Sequence, residues 1–299
     1  MVLSAEDAYQ EFESEIVQTV IRSIGKKLGT NFNSIELKGW GGQGLIVYLE
    51  CFAYNHKICA KIPHCNAFGK HAILKEAQIN EALTSLNVSY VPRLLCYSED
   101  GEYLVREYLD GSLLDTAIRN ATLEERIRLA YLEWEMVTQA FSIVHEHAKQ
   151  PYVIRDLKAK NIILSPKKDK LYLIDLGSCR REDNMVSRRR FKMWKRFGSG
   201  QFLHWPLEQL VEDKTKCSRK VDYFAFGVLL YETLFNHRPY SNTEKIISIA
   251  KKIYEEEYEV AKYKIQKALE SGFVPTELAE LMIHTLHPDS EERYFIVRQ

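Results

Sequence analysis

The sequence predicts an α+β chain in two lobes, a small strand-rich one followed by a larger helical one. Three observations carry that expectation. Alternating apolar positions, the mark of half-buried strands, gather before residue 110. Stretches with apolar residues at every third and fourth position dominate after it. Between them "EYLDGS", at 107–112, interrupts both patterns and reads as a hinge. The expected organisation is a helical extension over 1–30, a first lobe over 31–109 and a second over 110–299.

Residues 5–28 read as one amphipathic helix. Ser4 and Asp7 make a capping-box-like start, and Phe12, Ile16, Val20, Ile21, Ile24 and Leu28 recur at helical spacing. Such an extension is expected to lie on the small lobe, with a regulatory or dimerising role as the alternative. Residues 34–38, 45–52 and 57–62 alternate as three strands, with glycines 39, 41, 42 and 44 in the first connection. A helix is expected over 70–86, then strands near 93–98 and 103–108. After the hinge come a long helix at 123–148, a short strand pair at 162–164 and 171–174, and a strongly apolar helix at 221–236.

Composition excludes several classes. With 45% hydrophobic and 27% charged residues, the 299-residue chain is that of a globular protein. Lys plus Arg equals Asp plus Glu at 41 each, so overall charge makes nucleic acid an unexpected partner. The six cysteines (51, 59, 65, 96, 179, 217) include no CxxC pair and read as reduced thiols of a cytoplasmic protein. No basic-then-apolar leader opens the sequence, and no apolar run approaches the roughly 18 residues of a membrane span. His145 and His147, two apart on an expected helix, point in different directions and read as ordinary residues.

Four stretches suggest chemistry. "GWGGQG" (39–44) lies between two strands, where it is either a plain glycine-rich hairpin or a cover whose N–H groups meet a triphosphate. Lys61 lies in the apolar strand "CAKI" and either snorkels or pairs with Glu76 on the following helix. "VIRDLKAKNIIL" (153–164) sets Asp156, Lys158 and Asn161 between apolar flanks, and Asp175 follows in "LYLIDLGS". Phosphoryl transfer to a hydroxyl needs a carboxylate to orient the hydroxyl and accept its proton, and a cation for the phosphoryl group. It also needs a carboxylate and an amide oxygen to hold magnesium. Asp156, Lys158, Asp175 and Asn161 fit those roles in that order.

In this order the stretches resemble the motif series of eukaryotic-type protein kinases over residues ~34–295. The resemblance covers "GWGGQGLI", Lys61, Glu76, "IRDLKAKN" and "DLG". It continues through "PLEQL", "DYFAFG" and Arg293. It implies the bilobal kinase fold and the cofactors ATP and Mg2+. ATP would meet Gly39, Gly41, Gly44, Ile46, Ala60, Lys61, Glu107, Leu109, Ile163 and Asp175, with Asn161 and Asp175 as metal ligands. Asp156, Lys158, Lys61 and Glu76 would be the catalytic set. Glu208 with Arg293, and Asp222 with the catalytic-loop backbone, would hold the larger lobe. Lys158 is similar to the lysine of Ser/Thr kinases, and together with Glu208, Asp222 and Arg293 implies a protein substrate. A pseudokinase acting as a binding module and a small-molecule kinase are the alternatives.

The chain departs from the family pattern at Ile154, Leu176 and Leu207. These stand where the family has the His of its catalytic loop, the Phe of its metal-binding triplet and the Pro before Glu208. Ile154 and Leu176 exchange one packing group for another. Arg106 in "YLVREYL" falls at the gatekeeper position, either turned inward toward Glu76 or Asp175, or outward if the strand slips by one residue. Turned inward, it would lower ATP affinity or make the site regulated. Between 178 and 200 eight basic residues face two acidic ones. This is either a solvated loop or a surface for an acidic or phosphorylated substrate. Arg155 resembles the arginine that receives a phosphate from this segment, with Ser187 and Ser199 as candidate acceptors.

Overall fold

The structure, a computed structural model, describes residues 4–40, 44–51, 57–64, 67–85, 88–147, 152–182, 206–210, 218–239 and 250–297. Gly41, Ser187, Ser199 and most of the basic segment lie outside the described residues. The chain forms two compact units, Met1–Asp110 with Leu173–Ser178, and Gly111–Tyr172 with Cys179–Gln299. The first 30 residues thus belong to the first unit, as does the short return at 173–178, which the expected division at 109/110 had assigned to the second lobe.

The first unit begins with two helices, α1 (Ala5–Glu13) and α2 (Glu15–Leu28), where the periodicity predicts one. Ser14 divides them. Its extended backbone ends α1, its hydroxyl donates back to the Glu11 carbonyl at 2.6 Å, and the same oxygen accepts from Val17 N at 3.4 Å. One serine thus caps two helices, and the apolar stripe runs through the break. The Ser4–Asp7 capping box at the start of α1 forms.

Five antiparallel strands follow in the order β1-β2-β3-β5-β4: β1 (Phe32–Trp40), β2 (Gly44–Cys51), β3 (Lys57–Pro63), β4 (Leu94–Tyr97) and β5 (Leu104–Glu107). The sheet has two different faces because side chains alternate along each strand. Leu45, Val47, Leu49, Ile58, Ala60, Ile62 and Val105 form one core with Val17, Val20, Ile21 and Ile24 of α2. Glu11 of α1 reaches His64, just past β3, at 2.7 Å. On the opposite face Leu104 packs with Ile73 and Ala77 of α3 (Ala67–Ser85). The apolar helices therefore occupy one side, leaving the other for polar side chains and α3.

The second unit contains a sheet of β6 (Ser112–Leu113), β8 (Ile162–Leu164) and β9 (Leu171–Leu173), whose last residue, Leu173, is where the chain enters the first unit. A two-stranded ladder joins β7 (Tyr152–Val153) to β10 (Arg180–Arg181). Its helices are α4 (Leu114–Asn120), α5 (Leu123–Phe141), α6 (Leu207–Leu210), α7 (Lys220–Phe235), α8 (Ala250–Glu270) and α9 (Thr276–Thr285). The capping box of Thr122 and Glu125 starts α5, and the helical stretch expected over 123–148 is α-helical to Phe141, with 148 outside the described residues. It widens at Ser142–His147 into a π-turn. Helix α7 is buried on nearly every side, as its almost unbroken apolar sequence requires. Gly227 permits its approach to α9: an added Cβ would stand 2.5 Å from Thr285 Oγ1 and 3.1 Å from the Leu286 backbone nitrogen.

Inside this core Glu133 of α5 has no exposure and accepts from Thr233 Oγ1 at 2.5 Å. Burial raises its pKa well above the usual glutamate value of 4.5, against the smaller lowering by Thr233. The folded protein thus holds a proton there that the unfolded chain releases near pH 4.5. Stability from Glu133 is complete below that pH and declines as pH rises toward the folded-state pKa. Urea unfolding of wild type and Glu133→Gln from pH 4 to 8 is expected to show wild-type stability falling relative to the variant as pH rises.

Candidate active site

Residues on the polar face of the first sheet meet α3 through charge. Lys61 of β3 pairs with Glu76 of α3, Nζ to Oε2, at 2.7 Å, and with Asp175 Oδ1 at 3.2 Å. Lys61 is 5% exposed and Glu76 not at all. Burial opposes the lysine's charge, but Asp175 and Glu76 together outweigh it and raise its pKa above the ordinary value. The snorkelling alternative is thereby replaced by a buried pair. Asp175 also accepts from Gly177 N at 3.0 Å, and Leu173 N donates to the Tyr90 carbonyl at 2.8 Å. These two backbone contacts fix the return segment that delivers Asp175 to the first unit.

Arg106 points inward. It pairs across the sheet with Cys59 and Leu94 without the one-residue slip, and it is 5% exposed. Its Nη1 lies 3.4 Å from Glu76 Oε1 and donates to the Ile174 carbonyl. Glu76 therefore shares its two oxygens between two cations, and Lys61 keeps the shorter contact.

The glycine loop divides by cause. At Gly44 a Cβ would lie 2.1 Å from the Ile62 carbonyl oxygen, so contact with β3 alone demands glycine. At Gly39 a Cβ would meet nothing within 4 Å among the described residues and the backbone is not left-handed, so neither torsion nor any described neighbour demands a glycine there.

Ala60 is a correction. It lies in the core beneath α2, on the face away from Lys61, because strand alternation puts every second residue on one side. Cys59 takes the Lys61 face, opposite Tyr48 and Arg106 in the ladder. Ile46 pairs with Lys61 and shares its face. The Glu107 carboxylate is committed to Arg93 N at 2.9 Å, and Leu109 is half-buried near the end of the unit. Beside them the Tyr48 and Tyr108 rings meet edge to face at 4.9 Å. Tyr48 has its pKa pushed up to about 12 by burial, with smaller contributions from Cys59 and Tyr108.

The second unit brings Asp156, Lys158 and Asn161 together on one turn. Lys158 Nζ donates to both Asp156 carboxylate oxygens at 2.9 Å. Asn161 Nδ2 donates to the Asp156 carbonyl at 2.9 Å and to its Oδ2 at 3.1 Å. Ile163, two residues on, is half-buried in β8. The turn is held from below. Asp222, unexposed in α7, accepts from Ile154 N and Arg155 N at 2.7 Å each, and Gln209 Nε2 donates to the Arg155 carbonyl at 3.1 Å. These contacts keep buried Arg155 at φ +69, a left-handed conformation costing about 1–3 kcal/mol in a non-glycine residue. Ile154 is buried, as a packing substitution would be.

Asp222 has a third partner that the sequence did not suggest. His145 Nε2 lies 3.1 Å from Asp222 Oδ2, and its ring stacks on Phe141 at 4.5 Å. This ring lies in the π-turn of residues 142–147, beyond the regular part of α5. Lower in the unit, Arg293 forks onto Glu208: Nη1 bonds Oε1, and Nη2 lies 3.2 Å from Oε2. Arg293 also donates to the His287 and Pro288 carbonyls and covers the Phe224 ring at 4.9 Å.

Comparison with known proteins identifies the family. The family model for the protein kinase domain matches residues 35–298. Over 214 residues the chain is 27% identical to chitin elicitor receptor kinase 1 of Arabidopsis thaliana, covering 70% of this chain and 31% of that protein. It is 26% identical to protein kinase C epsilon type of Rattus norvegicus over 226 residues, 72% and 28% of the two chains. For mitogen-activated protein kinase kinase kinase 7 of Drosophila melanogaster the identity is 24% over 161 residues, 53% and 22%. The chain thus spans less than a third of each of these relatives.

The shared carboxylate sets an order of mutational cost. Glu76→Gln takes from two buried cations the charge they share, leaving Lys61 to Asp175 and Arg106 to the Ile174 carbonyl, an effect of about 3–5 kcal/mol. Lys61→Met leaves Glu76 with Arg106 and is expected to cost less. Urea unfolding of both variants beside wild type measures the order.

Proposed function

This chain belongs to the protein kinase family, and from that premise we propose that it transfers the γ-phosphate of ATP to a serine or threonine hydroxyl of a protein. The observation carrying this reading is the complete polar set. Lys61, Glu76 and Asp175 assemble in one unit, and Asp156, Lys158 and Asn161 share one turn of the other.

The residues suit ATP and Mg2+. Among the described residues nothing demands a glycine at Gly39, as expected where backbone must face a phosphate. Asp175 and Asn161 offer hard oxygen ligands, the type magnesium takes. Because the Asn161 amide nitrogen is committed to Asp156, its oxygen is the atom left for a cation. Bound magnesium supplies charge that offsets the negative phosphates during transfer. Lys61, oriented by Glu76, holds phosphate oxygens, and Cys59 rather than Ala60 lies on the nucleotide side of β3. The Asp156 carboxylate orients the acceptor hydroxyl and takes its proton. Lys158 holds both oxygens of that carboxylate and lends its charge to the transferring group.

Lys158 and the Glu208–Arg293 fork favour a protein substrate over a small molecule. The basic stretch at 178–200 favours an acidic or phosphorylated one, with Ser187 and Ser199 as sites of modification and Arg155 as their anchor. A cytoplasmic location is part of the same proposal. Among the described residues no helix is long and apolar enough to cross a membrane. Arg106 gives the binding-module reading its motive, but Lys61 retains its 2.7 Å contact with Glu76, so the phosphate-holding pair is intact.

Incubation with labelled ATP and magnesium is expected to label the chain itself or a generic protein acceptor, and Asp156→Asn to abolish it. Equal label from both would sink the enzymatic reading. The two glycines are expected to separate. Gly39→Ala keeps wild-type stability and weakens ATP binding by calorimetry, whereas Gly44→Ala lowers the melting temperature.

A further inference from the structure

We propose that Arg106 is a positioning residue, a built-in latch that holds α3 and the Asp175 segment assembled without help from a modified activation segment. The proposal deepens the kinase reading and rests on it only for its catalytic arm.

Three elements meet at one guanidinium. Arg106 stands on β5, its Nη1 contacts Glu76 on α3, and it donates to the carbonyl of Ile174, the residue before Asp175. Lys61 separately joins β3 to Glu76 and Asp175. Helix α3 is thus tied to two strands through opposite oxygens of one carboxylate, and the Asp175 segment is tied twice, by side chain and by backbone. The 3.4 Å separation from Glu76 is long for a hydrogen bond, so charge maintains that contact while the carbonyl aims the guanidinium. Competition for Glu76 would lengthen the Lys61 contact, yet it is the shorter of the two.

The charges also balance. Lys61 and Arg106 supply two positive groups, and Glu76 and Asp175 two negative ones. Only Asp175, with a third of its side chain accessible, faces solvent substantially. With an apolar residue at 106, Glu76 keeps only Lys61, and the carbonyl of Ile174 loses its side-chain donor. Movement of α3 and of 174–178 then becomes easier.

Hydrogen exchange read by mass spectrometry on the nucleotide-free, phosphatase-treated chain tests this directly. Wild type is expected to protect 67–85 and 174–178. Arg106→Met should speed exchange there roughly tenfold, as a lost local restraint does, with 220–235 and 276–285 unchanged as a control for folding. Arg106→Lys, which keeps the charge and a donor, should restore part of the protection. Where wild type transfers phosphate, kcat should fall more in Arg106→Met than in Arg106→Lys.

Equal exchange in wild type and Arg106→Met overturns the latch. So does rapid exchange of 67–85 in the phosphatase-treated wild type, or equal protection in the Met and Lys variants. Absence of phosphate transfer by wild type, with the exchange pattern as expected, instead removes the kinase reading and leaves the latch standing.

Discussion

Glu76 has no exposure and faces two cations, and the first unit is organised around that one carboxylate. A buried charge is tolerable only when partners replace the water it has lost. Here the partners come from β3 and β5, so satisfying the carboxylate also sets the distance of α3 from the sheet. Asp175 then enters an environment already defined, with Lys61 on one side and Gly177 N on the other. The N-terminal helices make this possible from the reverse face. By filling the apolar side of the sheet they leave its other side to charged groups.

The second unit uses an acid in a different way. Asp222 binds backbone N–H groups rather than cations, and through them keeps Arg155 in a conformation the chain would otherwise avoid. The rigidity of the turn carrying Asp156 therefore originates in α7, the most apolar helix among the described residues. His145 and Gln209 complete the arrangement, one on the acid and one on the Arg155 carbonyl. In both units a buried acid does the positioning, and the groups proposed to do chemistry are placed by it.

Much of this was legible in the sequence because strand alternation and motif order are local properties. The Lys61–Glu76 pair, the turn at 156–161 and the Glu208–Arg293 fork could all be named from spacing and resemblance. Choices that hinge on one residue of register were not. Ala60 and Cys59 are both small enough for a strand interior, and only the assembled ladder shows which faces Lys61. Arg106 posed the same problem, since inward and outward orientations differ by a single step. Ser14 hid a helix break because the apolar stripe continues across it, and the contact of His145 with Asp222 joins residues 77 apart that no local pattern connects. The return of 173–178 to the first unit depends on backbone contacts, which composition does not encode.

The unequal burial of these groups bears on how such a chain would age if released from selection for chemistry. Lys61, Glu76 and Arg106 are held in place by the fold's own electrostatics, so drift that removes them is opposed by instability. Among the described residues nothing protects Gly39 in this way, and the Asp156–Lys158 pair lies partly in solvent, where an ion pair adds little to stability. Idle descendants would therefore shed Gly39 and Asp156 first while carrying the buried triad for much longer.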